Sequence, residues 1–172
     1  MLKFTQLLTP ENIRQGAICS SKKAVLEMIG RIIAEQIDCE ECDEIQCFES
    51  LFERERLGCT ALGAGVAMPR ARLPLKDKVI AVFLQLETPI DYDAPDHRKV
   101  DLIFAIMISP DLCSTYQCNF AEIAEKLTDK NFTKQLRQAQ NADEIWQVFE
   151  FIDNLSESEQ QAEIQQRENE QP

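Results

Sequence analysis

Two apolar runs decide the fold: Val79-Ile80-Ala81-Val82-Phe83-Leu84-Gln85-Leu86 and Val100-Asp101-Leu102-Ile103-Phe104-Ala105-Ile106-Met107-Ile108. Nearly continuous apolar runs of this length, bounded by proline and aspartate, are typical of central strands that are buried on both faces. A sheet of such strands must be covered by helices on each side. The runs therefore predict an α/β protein, a three-layer α/β/α sandwich with a small mixed β-sheet flanked by helices.

Residues on both sides of these strands recur at helical spacing. Ser20 and Ser21 can cap a first helix, because a serine hydroxyl accepts hydrogen bonds from the free N–H groups of the first turn. A second helix is predicted from Glu44 to Leu57 and ended by Gly58. Its buried face is expected to carry Ile45, Phe48 and Phe52. After Pro110 the helical period returns at Phe120, Ile123, Ala124, Leu127, Phe132, Ile145, Val148, Phe149 and Ile152.

The connection between the two strands is predicted to be a turn. The segment Glu87–Asp96 contains two prolines and four acidic residues, and this composition favours turns over regular structure. His97, which follows, is expected to be a solvated turn histidine.

The composition restricts the function. Thirty acidic residues against eighteen basic ones give 172 residues a net charge of −12, which argues against a nucleic-acid partner because phosphate contacts need clustered lysine and arginine. No apolar run approaches the ~20 residues that cross a bilayer, so no membrane insertion is expected. The N-terminus lacks the layout of a signal peptide, and seven cysteines at irregular spacing fit reduced thiols. The expected location is the cytoplasm.

The character of the chain changes at Asn154. From there on Leu155 and Ile164 are the only large apolar residues, while aspartate, glutamate, glutamine and serine dominate. A segment with so little apolar surface to bury cannot offset the entropy lost on ordering. The sequence therefore predicts a single domain over residues 1–153 and a disordered acidic tail over residues 154–172.

Two short motifs have the wrong context for a metal or cofactor. Cys39-x-x-Cys42 with Cys47 is one pair and a single cysteine, whereas a structural zinc site needs four ligands. The segment Gly63-Ala64-Gly65 is half of a dinucleotide fingerprint but does not join a strand to a helix. Free thiols and a tight turn are expected instead, with no metal and no cofactor.

Basic residues cluster around this glycine-rich connection. Arg54 lies at the end of the second predicted helix, and Arg70 and Arg72 follow a proline-stiffened turn. Together with the Thr60 hydroxyl they describe a local anion site in an otherwise acidic protein. The alternative is that these arginines only neutralise acidic neighbours at the surface.

The same stretch carries a family resemblance. It runs Arg54-Glu55-Arg56-Leu57-Gly58-Cys59-Thr60-Ala61-Leu62-Gly63-Ala64-Gly65-Val66-Ala67-Met68-Pro69-Arg70-Ala71-Arg72. It resembles the nitrogen-regulatory IIA proteins of the bacterial phosphotransferase system, which have the fructose/mannitol type of IIA domain. The likeness spans about Leu2 to Ile152 and includes Ser21-Lys22-Lys23-Ala24, Gln85-Leu86-Glu87-Thr88-Pro89-Ile90, Val100-Asp101-Leu102-Ile103-Phe104-Ala105 and Leu136-Arg137-Gln138-Ala139-Gln140.

The chain departs from this family at the residues that carry its chemistry. The resemblance implies that a histidine after the proline accepts a phosphoryl group, and this position is Arg70. It also implies two histidines that open a later helix, where this chain has Tyr116 and Cys118, and a serine where it has Cys59. Arg54 and Thr60 remain. A guanidinium has no lone pair with which to attack phosphorus, so Arg70 cannot replace the histidine.

The resemblance with its lost acceptor leads to a regulatory hypothesis. The chain is expected to be a protein-binding module that is not phosphorylated. The family's partners are regulatory target proteins, among them sensor kinases and potassium transporters, and also the phosphocarrier of the nitrogen branch, bound here without transfer. One alternative is a phosphocarrier that uses Cys59 or Cys118 as the acceptor. Another is an anion sensor built on Arg54, Thr60 and Arg70.

Overall fold

The computed structural model describes residues 2–37 and 42–170. Six helices and six strands follow one another along these segments. They are α1 (Phe4–Leu7), β1 (Ile13–Ala17), α2 (Lys22–Gln36), α3 (Glu44–Leu57), β2 (Ala61–Gly63), β3 (Val66–Ala67), β4 (Arg70–Arg72), β5 (Val79–Ile90), β6 (Val100–Ile108), α4 (Cys113–Leu127), α5 (Lys130–Gln138) and α6 (Ala142–Glu170). Short 3₁₀ turns at Pro10–Asn12 and Pro110–Leu112 precede β1 and α4.

The strands form one mixed sheet in the order β1-β5-β6-β3-β2, and β4 also pairs with β6. The two central strands are the two apolar runs, paired antiparallel with Phe83 opposite Phe104. Strand β1 is parallel to β5, while β3 and β4 are parallel to β6. The predicted small mixed sheet is confirmed.

Helices cover both sides of this sheet, as predicted. On one side, called the first face, α2 and α3 pack over Ile103, Ala105 and Met107. On the other, the second face, α1, α4, α5 and α6 pack over Phe104 and Ile106. Successive residues of β6 alternate between the two cores because side chains alternate along a strand. The α/β/α sandwich follows directly from a strand that is apolar at every position from Leu102 to Ile108.

The first two long helices begin and end close to their predicted positions. The Ser21 hydroxyl accepts the N–H of Ala24 at 3.1 Å and caps α2. Asp43 caps α3 in the same manner, and Gly58 follows its last residue. The predicted buried face of α3 is wrong, however: Ile45 and Phe52 are 65% and 41% exposed.

The true buried stripe of α3 is Cys47, Leu51 and Glu55. It is spaced by four residues, so it lies on one side of the helix. A Cβ on Gly30 of α2 would lie 2.9 Å from the Glu44 carbonyl oxygen, so the two helices touch closely. The prediction placed the largest apolar residues of α3 on its buried face. The close approach of α2 instead leaves room for the smaller side chains of Cys47 and Leu51. Phe48 lies at the border of the contact and is half-buried.

The predicted turn after Leu86 begins later than expected. Strand β5 continues to Ile90, with an irregular register between Gln85 and Ile90. The side chains of Glu87, Thr88 and Pro89 are exposed there. A proline is tolerated at such a place because its missing N–H removes no regular ladder bond. The turn itself occupies the residues between Ile90 and β6.

The last helix extends into the predicted tail. In α6 the side chains from Asn154 to Glu170 are exposed apart from a half-buried Ser156. Lys3 pairs with Glu157, and the Lys126 Nζ donates to the Ser156 hydroxyl at 2.9 Å. The structure is helical where the composition predicts disorder, because glutamate, glutamine and alanine are good helix formers. The division at residue 153 stays a prediction. None of the described helices combines the length and hydropathy of a membrane span.

Candidate functional site

Two arginines meet where α3 ends and β4 begins. The Arg54 Nη1 donates to the Gly58 carbonyl oxygen at 3.0 Å, which folds the side chain along the helix end. Arg70 is the first residue of β4 and is exposed. Partial burial lowers the pKa of Arg70, the charge of Arg54 lowers it further, and Glu55 opposes the change. The two guanidinium groups therefore lie within the range of charge–charge repulsion.

A buried carboxylate, Glu55, follows Arg54 in α3 and lies within the range of charge–charge attraction to Arg70. Glu55 is 8% exposed. Its Oε2 atom lies 2.7 Å from the Lys22 Nζ and accepts the Thr60 N–H at 3.3 Å. Its Oε1 atom accepts the Tyr92 hydroxyl at 2.9 Å and also the Thr60 hydroxyl. We call Lys22, Glu55, Thr60 and Tyr92 the Glu55 cluster.

The ring of Tyr92 completes this cluster. The Lys22 Nζ lies 4.4 Å from the ring centroid, a cation–π contact, and the two hydroxyls of Tyr92 and Thr60 are 3.1 Å apart. Burial and then the negative charge of Glu55 raise the pKa of Tyr92, so the phenol stays protonated and donates. Tyr92 is fully buried. The cluster is thus a closed polar network between α2, α3 and the turn before β6.

The Glu55 cluster leaves the arginines without a counter-ion. Lys22 and two hydroxyl donors already compensate the charge of Glu55. None of the carboxylates in residues 2–37 and 42–170 forms an ion pair with Arg54, Arg70 or Arg72. The chain as a whole carries a net charge of −12. The anion site and its alternative, neutralisation by acidic surface neighbours, both stay predictions.

The remaining residues predicted to bind an anion take different positions. Arg70 and Arg72 pair with Ile106 and Ile108 of β6, so both arginines are placed on the second face, and Ala71 between them lies on the first. Arg72 is exposed. Thr60 is only 5% exposed, and its hydroxyl contacts Glu55 and Tyr92. Thr60 is therefore a buried member of the Glu55 cluster.

The cysteine and tyrosine candidates take three separate positions in the fold. The half-buried Cys59 donates its thiol to the Tyr92 carbonyl oxygen at 3.6 Å. Tyr116, near the start of α4, stacks on Phe120 with ring centroids 6.1 Å apart. Cys118 is exposed. Across the described parts of the chain, no hydrogen bond joins Tyr116 or Cys118 to Arg54 or Arg70.

The glycine-rich turn between β2 and β3 is held by the protein itself. Gly63, Ala64 and Gly65 all have positive φ angles, of 95°, 53° and 84°. The Ala64 N–H donates to Asp96 at 2.9 Å, and its carbonyl oxygen accepts from Arg137 at 2.8 Å. A Cβ on Gly65 would lie 2.7 Å from the Arg137 Nη2. Contacts to Asp96 and Arg137 within the chain therefore hold this turn in place.

The histidine and the thiol motif lie apart from the site. His97 is exposed in the turn before β6, where its N–H donates to the Ala94 carbonyl oxygen at 2.9 Å. Cys39 lies outside the described residues, while Cys42 and Cys47 are buried. Burial, and next the Cys42 thiol, raise the pKa of Cys47 to about 12. The described residues contain no group of three or more side chains placed to hold a metal ion.

Comparison with known proteins decides the family. A family model described as the EIIA 2 component of the phosphoenolpyruvate-dependent sugar phosphotransferase system matches residues 6–152. The chain belongs to the EIIA 2 family. Its relatives in the family include the "Nitrogen regulatory protein homolog" of Haemophilus influenzae, 56% identical over 154 residues that cover 88% of this chain and 93% of that protein.

Two further EIIA 2 relatives agree with this assignment. The "Nitrogen regulatory protein" of Escherichia coli is 35% identical over 148 residues, 86% of this chain and 89% of that protein. The crystal structure of the nitrogen regulatory protein IIA-Ntr from Neisseria meningitidis superposes with a TM-score of 0.77 at 27% identity, covering 84% of this chain and 97% of that one. The resemblance to nitrogen-regulatory IIA proteins is confirmed at the level of the family and the fold.

Sequence reasoning missed Lys22 and Tyr92 as partners of Glu55. One physical signal could have found them. Lys22 opens α2, where the helix dipole disfavours a cation, and Glu55 lies in the last turn of α3, where the dipole disfavours an anion. Two charges that are each unfavourable on their own helix become favourable as a pair. The two helix ends must then meet.

Proposed function

We propose that this EIIA 2 protein is a cytoplasmic nitrogen-regulatory protein that acts by binding other proteins and accepts no phosphoryl group on its own chain. One observation carries the proposal: Arg70 stands where the resemblance expects the acceptor histidine. A guanidinium offers donors only and stays protonated at neutral pH, so it cannot attack phosphorus. The names of the Haemophilus influenzae and Escherichia coli relatives support the regulatory part.

The surface around Arg70 suits a protein partner. Leu57, three residues after Arg54, is 86% exposed. An exposed aliphatic side chain beside two unpaired guanidinium groups offers both apolar and charged contacts, and arginine is enriched at protein interfaces. The partners implied by the family are the phosphocarrier of the nitrogen branch, sensor kinases and potassium transporters. The carrier would bind here without transferring its phosphoryl group.

The test is a transfer assay read by intact mass. The full chain is incubated with the phosphotransferase enzyme I, its carrier protein and phosphoenolpyruvate. A family member with the histidine in place serves as the positive control. We expect no mass gain on this chain while the control gains one phosphate. A stoichiometric gain on the present chain would overturn the proposal.

The second candidate function is transfer through cysteine. Cys59 adjoins Thr60 and lies at the end of α3, and Cys118 lies near the start of α4. A thiolate near arginine is a competent nucleophile, although Cys59 here donates its proton to a backbone carbonyl. A Cys59→Ser, Cys118→Ser double variant separates the cases. A mass gain that disappears in the double variant would establish the cysteine carrier, and a gain that persists would exclude both functions.

A further inference from the structure

The exposed side of α3 carries large apolar side chains that the protein does not cover. Ile45 is 65% exposed and Phe52 is 41% exposed, while Phe48 between them is half-buried. The three positions follow the spacing i, i+3, i+7, so their side chains share one face of the helix. We call Ile45, Phe48 and Phe52 the α3 stripe.

The members of the α3 stripe form one surface. The rings of Phe48 and Phe52 stack with their centroids 5.7 Å apart and their planes inclined by 26°. A Cβ on Gly30 would lie 3.7 Å from the Phe48 Cβ, so α2 adjoins the stripe at its middle. Single exposed apolar residues are ordinary on a protein surface, whereas a contiguous apolar patch with a polar rim marks an interaction surface.

The rim of the α3 stripe is acidic. From Asp43 to Glu53 the sequence holds four carboxylates, at positions 43, 44, 49 and 53, and no lysine or arginine. Asp43 caps the helix, and Glu44 lies 3.7 Å from Arg31 of α2. Glu49 and Glu53 are exposed and form no ion pair in the described part of the chain. Like charges four residues apart on a helix repel each other, so a cation bound beside both would stabilise them.

We propose that the α3 stripe binds a basic amphipathic helix of a partner protein. From Ile45 to Phe52 the stripe runs about 10 Å along α3, which matches the two turns of a helix with apolar residues at i, i+3 and i+7. Lysine or arginine beside that apolar face would pair with Glu49 and Glu53. A second copy of this chain lacks the complementarity, because it would bring the same acidic rim and a further net charge of −12.

The α3 stripe is separate from the arginines at the other end of the helix. Ile45 and Gly58 are 13 residues apart, about 20 Å along the axis. Arg54 follows Ile45 by nine residues, or two and a half turns, and so projects from the opposite side of α3. The inference therefore goes beyond the proposed function. It does not depend on whether this chain accepts a phosphoryl group, and a peptide without phosphate tests it.

The experiment is a titration of the full chain with three peptides of equal length, followed by amide chemical shifts. The first peptide is a helix with leucines at i, i+3 and i+7 and lysines on both flanks. The second has the same residues in an order that breaks the apolar spacing, and the third has glutamate in place of every lysine.

We expect the first peptide to bind and to shift the amides of α3. The second should bind at least about tenfold more weakly, because burial of one large apolar side chain accounts for about a factor of ten. The third should not bind. Equal affinity for the first two peptides would overturn the proposal, since net charge alone would then account for binding. The absence of binding by the first peptide would overturn it as well.

An apolar variant locates the binding. Ile45→Ser should weaken binding of the first peptide about tenfold. Ile18→Ser makes the same change at an isoleucine that is 78% exposed outside α3, and this matched control should bind like the unchanged chain. If the two variants bind equally well, the peptide does not lie on the α3 stripe and the proposal is wrong.

A charge variant tests the acidic rim. The double variant Glu49→Gln, Glu53→Gln should weaken binding of the first peptide about threefold, since exposed ion pairs are individually weak. The double variant Glu163→Gln, Glu168→Gln changes the net charge equally at two exposed positions of α6 and should have no effect. Equal weakening by both double variants would contradict local pairing with the rim.

Sedimentation of the chain at increasing concentration tests the second copy as the occupant. We expect Ile45→Ser to leave the association state unchanged, which supports a partner of different chemistry. Self-association of the unchanged chain that Ile45→Ser abolishes would assign the α3 stripe to a second copy and overturn the proposal.

Discussion

The two faces of the sheet are both covered by helices, but the side chains that pack between sheet and helices differ in kind. On the second face four phenylalanine rings, Phe4, Phe83, Phe104 and Phe132, surround Phe149 with centroid distances of 5.0 to 6.1 Å. On the first face the helices α2 and α3 enclose the charged Glu55 cluster next to an aliphatic core. The second face holds the fold together mainly through contacts between aromatic rings. The first face buries the Lys22–Glu55 pair, and Glu55 is the neighbour of Arg54 in α3.

The largest effect is expected on the aromatic face. Phe149→Ala removes the ring that the four others contact and should lower the free energy of unfolding by about 3–5 kcal/mol. Phe151→Ala, on the same helix but 53% exposed, is the control and should cost under about 1 kcal/mol. Denaturant unfolding measures both. Equal losses in the two variants would show that the aromatic face carries no special share of the stability.

The second-largest effect is expected in the Glu55 cluster on the first face. Glu55→Gln keeps the size of the side chain but leaves Lys22 without its counter-ion, so we expect a loss of about 2–3 kcal/mol. This is less than for a fully enclosed pair because the Lys22 side chain is 21% exposed. Adding Lys22→Met should recover part of the loss, since no unpaired charge then remains. If the double variant is no more stable than Glu55→Gln, the pair is not coupled.

A smaller effect is expected at the far end of the second face. Truncation after residue 153 removes the Lys3–Glu157 pair and the Lys126–Ser156 hydrogen bond, and should lower the melting temperature by about 2–4 °C. Truncation after residue 158 keeps both contacts and should melt within about 1 °C of the full chain. A large loss in the longer variant would mean that residues 159–172 pack on the domain, against the predicted tail.

The smallest expected effect is a pH response at the turn between β2 and β3, where the Ala64 N–H donates to Asp96. The N–H groups of Ala64 and Arg98 lower the pKa of Asp96. A carboxyl group with a lowered pKa in the folded state stabilises above its unfolded pKa, and this contribution is lost as the pH falls through the folded value. The protection factor of the Ala64 amide, which is corrected for the pH dependence of intrinsic exchange, should therefore fall below about pH 4, while that of the Phe104 amide stays unchanged. Asp96→Asn should show no such pH step.

The sheet could be predicted because its information is local. Each of the central strands is apolar at nearly every position. The end of α3 is likewise marked within a few residues, because Gly58 follows its last residue. The end of β5 was harder to predict. Pro89 belongs to the strand because the irregular register there requires no N–H donor. The buried side of α3 depends on how closely α2 approaches at Gly30, which no spacing within α3 encodes.

Only the arginines of the candidate site could be predicted from the sequence. Arg54, Arg70 and Arg72 were found because they lie within one continuous stretch. Lys22 and Tyr92 come from positions 33 residues before and 37 residues after Glu55, so only the folded chain brings them to its carboxylate. Tyr116 and Cys118 were assigned by resemblance, and their role at the site stays a prediction. Thr60 was predicted to take part in the anion site, but it is buried and its hydroxyl bonds to Glu55.

The buried Asp153 also bears on the order in which the protein assembles. Its carboxylate accepts the N–H groups of Phe4 and Thr5 at 2.9 and 3.0 Å across a sequence separation of 149 residues for Phe4. During synthesis Phe4 precedes Asp153 by 149 residues, so its amide has no native partner until Asp153 has followed. The α2–α3 layer and the central strands can form earlier on the growing chain. Closure of the second face therefore follows the formation of the first, and α1 docks only once α6 is present.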